Sequence, residues 1–181
     1  MNIAFIGEQR TPSRCGRLDQ ACAFGVKPVH MTFDSNEVDV EPITLGGTFY
    51  WVIADLKAGK DTIKILSDLN KCYPFAENDR ERAVHEALGA DNREYIERAA
   101  GLLTEGNAEG LGALMREVQK NFDKKVAPAS PKELAAPVLH SVLNDENLDK
   151  WIYGAKGVGS QGDESKPLLA GDPAGRCCAE S

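Results

Sequence analysis

The stretch "YGAKGVGSQGD", residues 153–163, places four glycines within nine positions, at Gly154, Gly157, Gly159 and Gly162. Glycine has no Cβ, so consecutive backbone N–H groups in such a loop can converge on an anion. Lys156 would add charge there and the Ser160 hydroxyl a further donor. Gly157 to Gly162 also matches G-x-G-x-x-G. That dinucleotide fingerprint works only as the first turn of a strand-loop-helix unit followed by an acidic residue, and nothing after Gly162 reads as that helix or as a returning strand. No Gly-Lys-Ser/Thr ending makes the loop a Walker A segment. On spacing alone, a phosphate site and a glycine-rich turn between elements both stand.

A second group with chemical capacity lies in "TPSRCGRLDQACAFG", residues 11–25, where Arg14 and Arg17 flank Asp19. A carboxylate between guanidinium groups stays ionised, and it can orient or deprotonate a hydroxyl held within hydrogen-bond reach. A surface Arg-Asp pair closing a turn is the plainer alternative. Lys57 and Lys60 stand where a strand meets a helix, a place that attracts anions, with solvated lysines as the alternative. His30, His85 and His140 have no metal-ligand spacing. The five cysteines, Cys15, Cys22, Cys72, Cys177 and Cys178, read as reduced thiols, since no paired C-x-x-C arms occur.

These groups sit in a chain of 181 residues, 42% hydrophobic, long enough for one cored domain or two small lobes. The formal charge is −7, with basic residues scattered among acidic ones, which argues against nucleic acid and anionic membranes as partners. No apolar run reaches membrane-spanning length, and the amino end lacks the order of a secretory signal, so a cytoplasmic location is expected.

The elements that must position the groups change character along the chain. "NIAFIG", "PVHMTF", "EVDVEPI" and "TFYWVIADL" read as short strands, with "FDSNEV" as a hairpin turn between the second and third. From 61 to 122 the apolar period is helical, with Asp61 as a cap and breaks at "YPFAEND", "LGADN" and "TEGNAEG". A short helix is expected around "KELAAPVLHSVL", then a strand at "KWIY", the glycine loop, and a tail from "ESKPLL" onward expected to pack poorly.

Taken in order, the segments resemble the galactokinase-like branch of the GHMP small-molecule kinases, from about residue 7 to residue 165. "CGRLDQACAFG" resembles that branch's "CG-x-x-DQ" segment, whose aspartate is the proposed base. "FYWVIADLKAGKDT" resembles the strand and helix that follow. "GLLTEGNAEGLGALMREVQKNFD" resembles its "Leu-Gly-x-Leu-Met" helix pair, "APASPKEL" stands in the place of "SCPELD", and "YGAKGVGSQGD" falls at the third motif near the nucleotide phosphates. The departures are equally specific. No "P-x-x-x-G-L-G-S-S-A" phosphate loop precedes Asp19, and with it go the Ser and Glu that hold magnesium and most of the nucleoside pocket. The further sheet that normally follows the third motif is also not expected.

The resemblance implies an α+β fold. Residues 1–50 would be a remnant of the amino-terminal sheet lobe, 51–170 a ferredoxin-like carboxyl-terminal domain, and 171–181 a tail. It implies an ATP-dependent kinase using Mg2+ and acting on a monosaccharide or sugar acid, as a truncated chain. Asp19, Arg14 and Arg17 would serve catalysis, with Gly154, Lys156, Gly157, Gly159, Ser160 and Gly162 lining the cofactor and Lys57 at best a helper. A catalytically silent, ligand-binding relative is the competing reading, and a Rossmann-type oxidoreductase a distant third. Exposed sheet edges would favour self-association.

Overall fold

The computed structural model describes residues 2–11, 18, 20, 25, 27–34, 37–59, 61–159 and 161, together with the backbone of 165–170. The chain divides into two compact units, Met1–Thr44 and Leu45–Ser181.

The first unit contains helix α1 (Asn2–Glu8) and a hairpin of β1 (Val29–Asp34) and β2 (Glu37–Pro42). The hairpin matches the expectation. Its antiparallel register runs from Val29 opposite Pro42 to Asp34 opposite Glu37. Residues 2–8 correct the expected first strand. A strand needs a laddered neighbour, whereas a helix satisfies its own backbone groups, and this run ends with Gln9 N–H donating to the Phe5 carbonyl at 3.0 Å and Thr11 Oγ1 donating to Glu8 O at 2.7 Å. Its apolar residues Ile3 and Ile6 remain exposed.

The second unit is α+β. It opens with β3 (Tyr50–Asp55), continues through α2 (Thr62–Asn70), α3 (Asp79–Glu86), a π-helical turn (Ala87–Asp91), α4 (Asn92–Glu105) and α5 (Ala108–Lys125), then a 3-10 turn (Ala127–Ala129), α6 (Pro131–Leu134) and α7 (Pro137–Leu143). It closes with a 3-10 turn (Leu148–Lys150), β4 (Ile152–Ala155) and β5 (Ser165–Ala170). Asp61 caps α2 by accepting from Lys64 N–H. At "TEGNAEG", Gly106 ends α4 at φ 73° and Asn107 caps α5 through Gly110 N–H.

Two expectations are corrected here. "LGADN" does not break the helix: α3 passes through the π-turn into α4. Asp91, at the end of that turn, accepts from Lys125 Nζ at 2.7 Å and Asn121 Nδ2 at 2.8 Å, so α5 holds the extra residue in place. The segment "KELAAPVLHSVL" is two helices, because Pro137 disfavours helical geometry in the residue before it and Ala136 sits at φ 44°.

The tail expectation is also overturned for residues 165–170. Strand β5 lies between β3 and β4, antiparallel to both, pairing Tyr50 with Ala170 on one side and Gly154 with Leu169 on the other. Pro167 argues against a central strand by sequence alone. It is accommodated because the β4 ladder covers only Leu168 to Ala170, leaving Pro167 opposite Ile53 alone. The turn of the chain after the glycine loop is therefore followed by sheet.

The core is built by helical periodicity. Ile65, Ala87, Val126 and Leu134 form one buried cluster and Leu111 with Met115 a second, joined by Phe49, Ala99 and Tyr153. Burying each large aliphatic side chain contributes about 1.5–3 kcal/mol. Helix α5 supplies most of the buried stripe, at Leu111, Leu114 and Met115.

Candidate functional site

The glycine loop leaves the end of β4, and β4 is set by its contact with α5. Gly112 and Gly154 meet backbone to backbone: a Cβ on Gly154 would overlap the Gly112 carbonyl, and one on Gly112 would come within 2.7 Å of the Gly154 nitrogen. A register shift between Ile152 and Gly154 bulges the strand at this point. Arg116, one turn further along α5, reinforces the junction by donating through Nε to the Tyr153 carbonyl at 3.2 Å and through Nη2 to Asp149 at 2.7 Å. Gly154, expected to line a cofactor, is held here as a packing glycine.

Beyond β4 the loop is clamped rather than open. Gly157 N–H donates to Gln119 Oε1 at 2.8 Å, and Gln119 Nε2 donates to Asp123 Oδ1 at 2.8 Å. Asp123 in turn lies 3.6 Å from His140 Nε2, on α7. Leu139, from the same helix and almost fully buried, packs under Gly157. Val158 to Gln161 forms a tight turn closed by Gln161 N–H to the Val158 carbonyl at 3.1 Å. Gly159 takes φ 62° and so does Gln161, at φ 66°, a conformation that is unfavourable for a residue with a side chain.

Among the described residues, the loop N–H groups of Val158 and Gly159 have no hydrogen-bond partner. They are the donors available to an anion. Lys156 Nζ donates to the Gly157 carbonyl at 2.6 Å, and its partial burial holds the ammonium below the ordinary lysine pKa. Gln161 is 5% exposed, and its Oε1 is buried without a hydrogen-bond partner.

One wall of a cavity of about 340 Å³ is made by Lys156, Gly159 and Gln161. The remaining walls are mostly apolar and come from the π-turn, α4 and α5, with Leu111, Leu114, Met115 and Val118 on one side and Leu88, Ile96 and Ala99 beside Asn92 and Tyr95 on the other. The two helices are tied across this cleft by Arg98, whose guanidinium grips Glu117 at 2.7 and 2.9 Å.

The other expected site residues divide plainly. Arg14, Arg17, Asp19, Lys60, Ser160 and Gly162 lie outside the described residues. Lys57 stands at φ 52° with its N–H accepted by Asp55 Oδ1 at 2.9 Å, away from the loop's hydrogen bonds. Among the described residues, no three His, Cys, Asp or Glu side chains are grouped to hold a metal ion, and no helix is long and apolar enough to cross a membrane. Gln119 was not a sequence candidate. The signal was there, since a polar side chain continues the i, i+4 series Leu111, Met115 of an otherwise apolar face.

Helices packed on an antiparallel sheet, with a glycine loop leaving a strand fixed to the longest helix, make an α+β fold. One solved structure that shares this fold is a mevalonate kinase from L. major in complex with R-mevalonate: the TM-score is 0.69 at 20% sequence identity, over 96% of this chain and 49% of that one. The chain thus spans about half the length of that kinase. No family model matches the chain, and no curated protein matches it.

Proposed function

We propose that this chain serves ATP-dependent, Mg2+-assisted phosphoryl transfer to the hydroxyl of a small molecule, with a monosaccharide or sugar acid as the substrate class. The observation that carries the reading is the fold shared with a mevalonate kinase over nearly the whole chain. In this reading Asp19 orients the attacking hydroxyl, Arg14 or Arg17 keeps the Asp19 carboxylate ionised, and the Val158 and Gly159 N–H groups face the phosphates. Phosphoryl transfer depends mainly on positioning and on donors aimed at the developing charge, each worth about 10²- to 10³-fold. A cytoplasmic location fits a kinase drawing on the ATP pool.

A second reading, a ligand-binding relative without turnover, is favoured by one feature: the loop's Gly157 N–H is engaged by Gln119 instead of facing outward. The two separate in one experiment. ADP release would be followed over monosaccharides, sugar acids and R-mevalonate, with MgATP binding measured by calorimetry on the same protein. Turnover that falls at least 100-fold in Asp19→Asn supports the kinase. MgATP binding without turnover supports the second reading, and neither binding nor turnover overturns both.

Self-association belongs to the same proposal. Strand β3 lies at one edge of the described sheet with Tyr50, Trp51 and Val52 about half exposed and Ile53 75% exposed. Sedimentation should show concentration-dependent dimers that Ile53→Lys reduces; a monomer at every concentration would refute this.

A further inference from the structure

The cleft between α4, α5 and the glycine loop is half open to solvent, yet its walls are mainly apolar side chains. A space of about 340 Å³, at about 30 Å³ for each water-sized atom group, has room for roughly ten non-hydrogen atoms. Its lining is mostly hydrocarbon on both helices, with Asn92 and Tyr95 of α4 as the polar exceptions, which disfavours ordered water over most of it.

The wall made by the glycine loop carries two groups that the protein leaves incomplete. Lys156 has no carboxylate partner among the described residues: its ammonium is held only by the Gly157 carbonyl. Gln161 Oε1 is buried and unpartnered. Leaving a charge incompletely neutralised costs more than leaving an amide oxygen unpaired, so the lysine decides the sign of the missing partner. The amide then follows, because a half-turn of the Gln161 side chain exchanges Oε1 for Nε2 and turns an orphan acceptor into a donor. The π-turn between α3 and α4 borders the same space through Leu88, and α4 through Asn92.

We propose that this cleft is a binding site for an amphipathic monoanion, a carboxylate on a hydrocarbon chain of medium length. The chain lies among Leu111, Leu114, Met115 and Val118, and the head group faces Lys156 and Gln161. The proposal does not rest on the phosphoryl-transfer reading.

The test uses the full chain, with sodium octanoate as probe and 1-octanol as its uncharged counterpart. Octanoate should bind saturably at one site, shift the Met115 methyl resonance, and bind at least tenfold more tightly than octanol. Lys156→Met should weaken octanoate at least tenfold while leaving octanol within twofold. Ala99→Trp, which fills the cleft, should abolish both, with circular dichroism checking that it folds. Should that variant not fold, the Met115 shift in the wild-type chain decides. No saturation, no Met115 shift, or equal binding of the two probes unaffected by Lys156→Met would each overturn the proposal.

Discussion

Gly157 and Gln119 are joined by a 2.8 Å hydrogen bond from the loop backbone to a side chain on α5, 38 residues earlier in the chain. That bond fixes the glycine loop to the most buried helix, and Asp123 and His140 extend it to α7.

Gln119→Leu should therefore leave a buried N–H unsatisfied, at a cost of about 1–3 kcal/mol. Urea unfolding measures the loss. Native-state hydrogen exchange should show the Gly157 amide accelerated more than amides in α4. An unchanged Gly157 amide would mean that the clamp does not hold the loop.

Gly112→Ala should separate α5 from β4, because the added methyl would meet Tyr153 and the Gly154 nitrogen. Overpacking of this kind costs about 1–3 kcal/mol. Gly89→Ala, where a Cβ meets nothing within 4 Å, is the control and should be neutral or stabilising in the same unfolding assay.

Acid should weaken the α2 region through Asp68. Lys64, Lys71 and the Ser130 hydroxyl all donate to its carboxylate and hold its pKa far below the ordinary carboxylate range. A carboxylate depressed in the folded state adds stability above its unfolded pKa of about 4, and that stability is lost as pH falls below it. The Tm of the wild type should fall more steeply than that of Asp68→Asn between pH 5 and about 2.

Lys156 has a dependence of the same sign in the alkaline range. Burial lowers its pKa, so the charged form is disfavoured in the folded state and stability rises as pH climbs through the lowered pKa toward the unfolded value of about 10.4. Lys156→Met should raise Tm at pH 7, and the gain should narrow by pH 10. A pH-independent difference would show that packing, not charge, accounts for it.

Much of the helical half was legible residue by residue. Asp61 and Asn107 cap where their types and positions say they should, because capping is a local hydrogen bond between a side chain and a backbone three residues on. The apolar stripe of α5 was equally local. Most of the misreadings share one cause, which is that the deciding partner is distant; the break within "KELAAPVLHSVL" is instead local, at Pro137. Residues 2–8 read like a strand but find no ladder among the described residues, and Asp91 continues a helix only because Lys125 and Asn121 reach it from α5.

The sequence alone determined the kind of fold, the helix boundaries set by caps and glycines, and the place of a glycine loop after a strand, since these follow from backbone preferences within a few residues. Only the tertiary structure decided what the loop's glycines do. Gly154 is needed because Gly112 lies against it, Gly157 gives its N–H to Gln119, and Ser165–Ala170 becomes a strand because β3 and β4 stand on either side. Spacing along a chain states which groups could meet an anion. Which of them the rest of the protein has already bonded is fixed by packing across tens of residues.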